Sequence, residues 1–229
     1  MKNWLIAGVT ALGLALTGAP AAQAKSLEDI LSDGTIRIGI NPNFPNMSTR
    51  NDDGDWVGFD IEIGAMIAEK LGVEVEWVPT ETAQRVPFLV SDRIDISMGA
   101  LTRNSERAKL IDFTAPLHTE VLAVLATDKI DGDSWTDFNK EGVVLANMRG
   151  NWTVGWIEEN MPEVELELTD SIADTVRLVA QGRADAIVEN IDFFMGFTGN
   201  HEGVNWRVVP DPIFVAYCAL GVSQGNGNL

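Results

Sequence analysis

The sequence contains very few of the residues that build disulfide bridges, metal clusters and histidine-based catalytic sites. Its 229 residues include one cysteine, Cys218, and two histidines, His118 and His201. A single cysteine excludes an internal disulfide and, we expect, any cysteine-ligated metal cluster. The two histidines are too far apart in sequence to form a local metal-binding pair, and there is no nucleophile-elbow serine or phosphate-binding loop. We therefore expect no bound metal, no cofactor and no catalytic residue, and a buried structural role for Cys218.

Long hydrophobic runs are also scarce, and the longest lies at the N-terminus. Lys2 precedes an apolar stretch of 12 residues, Leu5 to Leu16, and a small-x-small cleavage signal follows at residues 22–24. This stretch is shorter than the ~20 apolar residues that span a bilayer. The pattern predicts a secretory signal peptide over residues 1–24 and a mature periplasmic protein that begins at Lys25. No cysteine follows the cleavage signal, so we do not expect a lipid anchor.

Basic residues are few compared with acidic ones. The chain has 16 lysines and arginines against 34 aspartates and glutamates, which gives a net charge of −18. Removal of residues 1–24 takes away Lys2 and no acidic residue, so the net charge becomes −19 over 205 residues. A surface this acidic repels nucleic acid and anionic lipid, and we expect neither as a partner.

Strand and helix patterns alternate in two successive units. In the first unit we predict strands at Thr35–Ile40, Val73–Pro79 and Ile94–Met98, and helices at Gly58–Gly72 and 85–92. In the second we predict strands at Val143–Met148, 164–168 and Ala184–Glu189, and helices at Trp152–Met161, Ser171–Gly182 and 190–197. Such alternation predicts α/β layers with mainly parallel sheets. Two extended segments, Thr119–Ala126 and Pro212–Val222, are expected to connect the two α/β lobes as hinge strands.

The most informative segment is DISMGALTRNSERAKLIDFTAP, residues 95–116. A buried strand ends there in a turn of small residues, where the peptide groups of Ala100 and Leu101 can approach a ligand closely. Thr102 adds a hydroxyl, and a polar helix start brings Arg107, whose planar fork of donors matches a carboxylate. Taken alone, Arg107 is more often a surface arginine. The complete segment instead favours a site for a small anion.

Five motifs, in order, resemble the extracellular solute-binding proteins of polar amino acid ABC transporters, known as bacterial solute-binding protein family 3. They are NPNFPNMS, GFDIEI, RIDISMGALTRNSER, FTAPL and QGRADAIVEN. The resemblance implies a type II periplasmic-binding-protein fold, with two α/β lobes joined by two hinge strands. It also implies that an amino acid or related small carboxylate binds between the lobes and is delivered by hinge closure to an inner-membrane ABC permease.

The resemblance also suggests how the chain is divided. We expect residues 25–118 to form the first part of lobe 1, residues 119–212 to form lobe 2, and residues 213–229 to form the return hinge strand and a truncated start of the C-terminal part of lobe 1. In the family a helical tail follows this strand, whereas only SQGNGNL remains here. We therefore expect the chain to be a fragment.

The family's ligand contacts can be transferred position by position. They fall on Phe44, Ala100, Leu101, Thr102, Arg107, Arg149, Gly150, Asn151 and Asn190. The resemblance implies that Phe44 lies against the ligand and that Thr102 and Arg107 hold its α-carboxylate. Asn151 replaces the family's hydroxyl residue at a helix start, where free N–H groups suit an anion. Arg149 is either a second cation in the cleft or an exposed residue.

One position departs from the family pattern. Members that bind α-amino acids place an aspartate opposite the ligand's ammonium, and the matching residue here is Asn190. An amide does not neutralise an ammonium, and a buried charge without a counter-ion is costly. Glu189 could replace the aspartate, although strand alternation predicts that it faces the other way. Alternatively, Glu81 or Asp60 supplies the charge, or the ligand lacks a primary ammonium.

Two other function classes use the same scaffold. A periplasmic dehydratase of the cyclohexadienyl dehydratase type is one, since Glu189 and Arg107 offer acid–base groups. The ligand-sensing domain of a membrane receptor is the other, and it would need a transmembrane helix after the second hinge. The order of the motifs favours a binding protein without enzymatic activity, and we expect it to be a monomer. The sequence does not identify its solute.

Overall fold

The computed structural model describes residues 25–229, apart from the side chains of Asp192 and Phe193, so the predicted signal peptide at residues 1–24 lies outside it. The helices in this part are α1 (Leu27–Asp33), α2 (Phe59–Leu71), α3 (Arg85–Val90), α4 (Trp152–Asn160), α5 (Ile172–Ala180) and α6 (Ile191–Thr198). The strands are β1 (Thr35–Ile40), β2 (Thr49–Arg50), β3 (Trp56–Val57), β4 (Glu74–Pro79), β5 (Ile96–Ser97), β6 (Ile111–Phe113), β7 (His118–Thr127), β8 (Val144–Met148), β9 (Glu165–Thr169), β10 (Ala186–Asn190), β11 (Trp206–Val208), β12 (Phe214–Cys218) and β13 (Gly221–Ser223). Among these helices, none has the length and apolar character needed to cross a membrane.

Helix ends follow from capping signals in the sequence. Ser171 is the predicted N-cap of α5, and its hydroxyl accepts a hydrogen bond from the Asp174 N–H at 3.1 Å. Helix α2 ends at Gly72, which has a φ of 70° and therefore the left-handed conformation that glycine adopts without strain. These signals explain why the predicted and observed helices agree closely.

The first sheet has the strand order β4-β1-β5-β13-β6. Strands β4, β1 and β5 are parallel, whereas β13 runs antiparallel to both β5 and β6. The side chains of Ile36, Ile38 and Ile40 in β1 are fully buried. Helix α2 covers this sheet and contributes Ala68 to the same core.

The second sheet has the strand order β11-β7-β10-β8-β9, with β12 also paired to β7. Strands β10, β8 and β9 are parallel, and β7 is antiparallel to β10, β11 and β12. The predicted fold class is confirmed, because each sheet has helices packed on it and contains a group of three parallel strands.

Strands β7 and β12 carry the chain between the two sheets. The first half of β7 pairs with β12, from Leu122↔Phe214 to His118↔Cys218, and its second half pairs with β10. After β12, strand β13 enters the first sheet between β5 and β6. The loop that carries Thr102 is attached to this return strand, since the Arg103 N–H donates to the Tyr217 carbonyl at 2.9 Å.

The segment after β5 differs from the prediction. The expected strand Ile94–Met98 is reduced to a two-residue ladder, and the chain then turns at Gly99 and Ala100, which adopt positive φ angles of 82° and 50°. The expected polar helix start is a single 3-10 turn, Arg107–Lys109. The Asn104 side chain caps this turn by accepting from the Arg107 N–H, and β6 begins at Ile111, so a longer helix does not fit.

Candidate functional site

A small cavity lies between the two sheets, at the carboxyl ends of their parallel strands. The first-lobe residues that line it are Asn41, Phe44, Thr82, Arg85, Gly99, Ala100 and Thr102. The second-lobe residues are Met148, Asn151, Ile172, Glu189 and Asn190. Its volume is about 10 Å³, which is room for roughly one water molecule. This position is where open α/β sheets place their ligands.

Five of the nine residues predicted for the site line this cavity: Phe44, Ala100, Thr102, Asn151 and Asn190. Phe44 is buried. Asn151 is the N-cap residue of α4, and its side-chain amide donates to the Glu189 carboxylate. The structure therefore brings together residues from four separate segments of the chain.

Arg107 and Gly150 lie next to the cavity and line a groove that shares Thr82 with it. Arg107 is only 8% exposed, so it is not a surface arginine, and its Nη1 donates to the Thr102 carbonyl at 2.9 Å. Burial lowers the pKa of Arg107 to about 9. A Cβ on Gly150 would lie 2.6 Å from the Cα of Ala83, so the two lobes are in close contact at this point.

The structure does not bring Leu101 or Arg149 to the cavity. The Leu101 side chain is buried in a hydrophobic cluster, and its carbonyl accepts from the Ala219 N–H at 3.1 Å. Arg149 is exposed, and it donates to Asp170 at 3.0 Å and to the Leu168 carbonyl at 2.9 Å. Of the two interpretations of Arg149, the structure favours the exposed one.

Arg85 lines the cavity but was not identified from the sequence. It is 6% exposed, and it donates from Nη1 to the Gly99 carbonyl at 2.5 Å and from Nε to the Thr82 carbonyl at 3.2 Å. Burial lowers the pKa of Arg85 from its ordinary value. The signal that could have identified it is its position, at the start of a helix that follows a strand closely.

One buried carboxyl group, Glu189, lines the cavity, and two more, Asp60 and Glu120, are hydrogen-bonded to residues that line it. Asp60 accepts from the Gly99 N–H at 2.9 Å, and burial raises its pKa to about 6. Burial likewise raises the pKa of Glu189 to about 7. The third, Glu120, lies in β7, is 2% exposed, and accepts a hydrogen bond from the Asn190 side chain. The Arg85 guanidinium thus lies near acidic groups of its own lobe (Asp60), of the hinge (Glu120) and of the second lobe (Glu189).

The prediction that Glu189 faces away from the cavity is wrong. Strand β10 ends at Asn190, so alternation stops there, and the Glu189 carboxylate lies among donors from α4 and the backbone. It accepts from the Thr153 hydroxyl at 2.7 Å and from the Asn190 N–H at 3.0 Å. Asn190 therefore has one buried carboxylate on each side, Glu189 and Glu120. Sequence analysis missed Glu120, because a glutamate in a hinge strand resembles a solvent-facing residue.

Comparison with known proteins decides the family. The family model for bacterial extracellular solute-binding proteins, family 3, matches residues 36–191. The chain belongs to this family. This family-3 protein therefore has the fold that its motifs predicted. Its cavity lies between the two lobes.

Relatives of this family-3 protein are mostly binding proteins. It is 28% identical to the L-arginine-binding protein of Pseudomonas aeruginosa over 200 residues, which cover 86% of this chain and 76% of that protein. A solved solute receptor for L-cysteine from Neisseria gonorrhoeae superimposes with a TM-score of 0.81 at 25% identity, covering 89% and 83% of the two chains. One relative is an enzyme, the cyclohexadienyl dehydratase of P. aeruginosa, which is 22% identical over 186 residues, or 80% of this chain and 69% of that enzyme.

Proposed function

We propose that this protein is the periplasmic solute-binding component of an ABC importer. It binds an amino acid between lobe 1 (residues 25–118 and 213–229) and lobe 2 (residues 119–212) and presents it to an inner-membrane permease. The observation that carries the proposal is the charge arrangement of the cavity, with buried guanidinium groups on one lobe and a buried carboxylate on the other. This arrangement is complementary to a zwitterion.

The carboxylate of the ligand binds on the side of lobe 1. Thr102 lines the cavity, and Arg107 is linked to it through the Thr102 carbonyl. Arg85 adds a second buried guanidinium. The N-terminus of α4, which begins after Asn151, provides free N–H groups from the opposite lobe. A charge-assisted hydrogen bond of this kind contributes about 1.5–3 kcal/mol.

The ammonium of the ligand binds at Glu189 and Asn190. The amide that replaces the family's aspartate does not leave this end of the cavity without charge, since Glu189 lines it directly and Glu120 is bonded to the amide. This supports a ligand with a free ammonium over one that lacks it. The carboxylate oxygens of Glu189 are the acceptors, and the Asn190 side chain holds Glu120 beside them.

Binding requires the lobes to move apart and close again. A cavity of about 10 Å³ has no room for an amino acid, and Gly150 of lobe 2 lies against Ala83 of lobe 1. The ligand therefore enters an open form and favours the closed form through its contacts with both lobes. Strands β7 and β12 are the hinge.

Calorimetric titration of this chain with the twenty amino acids, together with small-angle X-ray scattering, tests the proposal. We expect micromolar or tighter binding of at least one amino acid and a smaller radius of gyration when it is bound. Absence of binding across the set, with an unchanged radius of gyration, would refute it.

A second candidate is an acid–base enzyme that eliminates water from a small carboxylate, as its dehydratase relative suggests. The specific observation is Glu189, a cavity carboxyl with a pKa of about 7, which can exchange a proton at neutral pH. Incubation of the protein with a cyclohexadienyl acid, followed by absorbance, distinguishes the two functions. Turnover that is lost in Glu189→Gln would favour the enzyme.

A further inference from the structure

Three metal-binding side chains converge at the hinge, and none of them lines the solute cavity. His118 and Cys218 are directly opposite each other in the β7–β12 ladder. Glu120 lies two residues along β7 and therefore on the same face as His118. Their ligand atoms, one each of nitrogen, oxygen and sulfur, all lie within 4.8 Å of one another.

The distances suit a tetrahedral ion. His118 Nε2 lies 3.1 Å from Glu120 Oε1. Bond lengths of 2.0–2.3 Å to a zinc ion place neighbouring ligands about 3.3–3.6 Å apart. Since the three ligand atoms lie within 4.8 Å of one another, a shift of at most about 1.5 Å by the sulfur would fill three of the four ligand positions. An edge-on contact between the rings of His118 and Phe59, with centroids 5.7 Å apart, helps to orient the imidazole.

A fourth oxygen is available beside this group. The Asn190 amide donates to Glu120, while its own Oδ1 is buried and has no hydrogen-bond partner among the described residues. A buried acceptor without a partner costs free energy, and a cation nearby would remove that cost. The remaining carboxylate oxygen of Glu120 is held by the amide, which is how second-shell groups orient a metal-binding carboxylate.

We propose that His118, Glu120 and Cys218 form a zinc site that cross-links the two hinge strands. The ligand set of one imidazole, one thiolate and one carboxylate selects zinc over the hard cations Mg²⁺ and Ca²⁺, which prefer oxygen alone. The expectation of no metal site depended on sequence spacing, and these residues are brought together only by the pairing of strands 100 residues apart. His118, with 27% of its side chain exposed, gives the ion access from solvent.

The proposed site is buried apart from His118. Burial and the nearby Glu120 carboxylate raise the pKa of the Cys218 thiol above its ordinary value, so the metal-free protein holds it protonated. Zinc binding therefore releases a proton. The number of protons released can be measured by calorimetry in buffers of different ionisation enthalpy.

The test uses chelator-treated protein titrated with zinc chloride in a calorimeter and with cobalt chloride in a spectrophotometer. The variants are Cys218→Ser and His118→Gln, and the matched control is His201→Gln, which changes the other histidine of the chain. We expect wild type and the control to bind one equivalent of zinc, and both site variants to bind it at least tenfold more weakly. Cobalt should produce a thiolate charge-transfer band in wild type and the control, and none in Cys218→Ser.

Two outcomes would overturn the site. One is a wild-type protein that takes up no stoichiometric zinc or gives no thiolate band with cobalt. The other is His118→Gln with unchanged zinc affinity. Circular dichroism establishes that each variant is folded. If Cys218→Ser does not fold, the comparison of His118→Gln with His201→Gln decides.

Discussion

Replacement of Glu189 by glutamine removes a negative charge from the cavity and leaves the shape of the side chain nearly unchanged. In the proposed complex, the Glu189 carboxylate accepts a hydrogen bond from the ligand's ammonium, a contribution of about 1.5–3 kcal/mol. Since about 1.4 kcal/mol corresponds to tenfold in affinity, Glu189→Gln should weaken amino-acid binding about 10- to 100-fold at pH 8. The ligand for the assay is the tightest binder among the twenty amino acids, and the assay is calorimetric titration.

The pH dependence of this loss is the sharper test. The pKa of Glu189 is about 7 in the ligand-free protein, and the ammonium requires the ionised form. Wild-type affinity should therefore fall by roughly tenfold per pH unit below pH 7, until it meets the nearly flat profile of Glu189→Gln. The ratio of the two affinities should shrink to about fivefold or less at pH 5.5.

A matched control is Glu202→Gln, at an exposed loop position, which should follow wild type at every pH. Glutamine has a single acceptor oxygen, whereas Glu189 accepts from Asn151, Thr153 and the Asn190 N–H. The variant should therefore be checked by thermal unfolding, since one donor loses its acceptor at a cost of about 1–3 kcal/mol. An affinity ratio that does not change between pH 8 and pH 5.5 would show that Glu189 does not bind the ammonium.

Three further predictions concern the arginines, the contact between the lobes and the buried acids. Arg107→Met should weaken amino-acid binding at least tenfold in calorimetry, whereas exposed Arg149→Met should stay within twofold; equal losses would argue against Arg107 as an anchor. Gly150→Ala adds a methyl group at a φ of 75°, at the point where the lobes touch. The variant should therefore remain open in X-ray scattering even when the amino acid is present, and full closure would contradict this. Glu189 and Asp60 bind protons more tightly in the folded than in the unfolded protein, because their pKa values are about 7 and 6 instead of about 4. The free energy of unfolding, measured in urea, should therefore fall as the pH rises from 4.5 to 7, and Asp60→Asn should reduce that slope; a stability that rises over this range would contradict the pKa shifts.

The parts of the fold that follow from local pattern were predictable from the sequence. Strand β1 has buried isoleucines at alternate positions, and α2 has a helical apolar face with a glycine stop. Both depend on interactions within a few residues, which a single sequence records. The order of the motifs then indicated the two-lobed arrangement.

The parts of the site that depend on distant pairing were not predictable. Arg85 begins a helix and Glu120 lies in a strand, and either position is usually exposed to solvent for these residue types. Their burial results from the approach of the second lobe and from the β7–β12 ladder. Conversely, Arg149 follows a strand in the manner of a ligand residue, but Asp170 and the Leu168 carbonyl bind it at the surface.

The placement of β13 determines the order in which the molecule can fold. This strand, Gly221–Ser223, lies between β5 and β6 in the first sheet. Strands β5 and β6 therefore cannot complete their pairing until β13, which follows them by more than a hundred residues, is present. The second lobe has no such requirement, since its strands follow one another within a continuous stretch of chain. As the chain emerges from its N-terminus onward during export, the second lobe is therefore complete first, and the lobe that begins the polypeptide is finished last, by a slow step that closes a long loop.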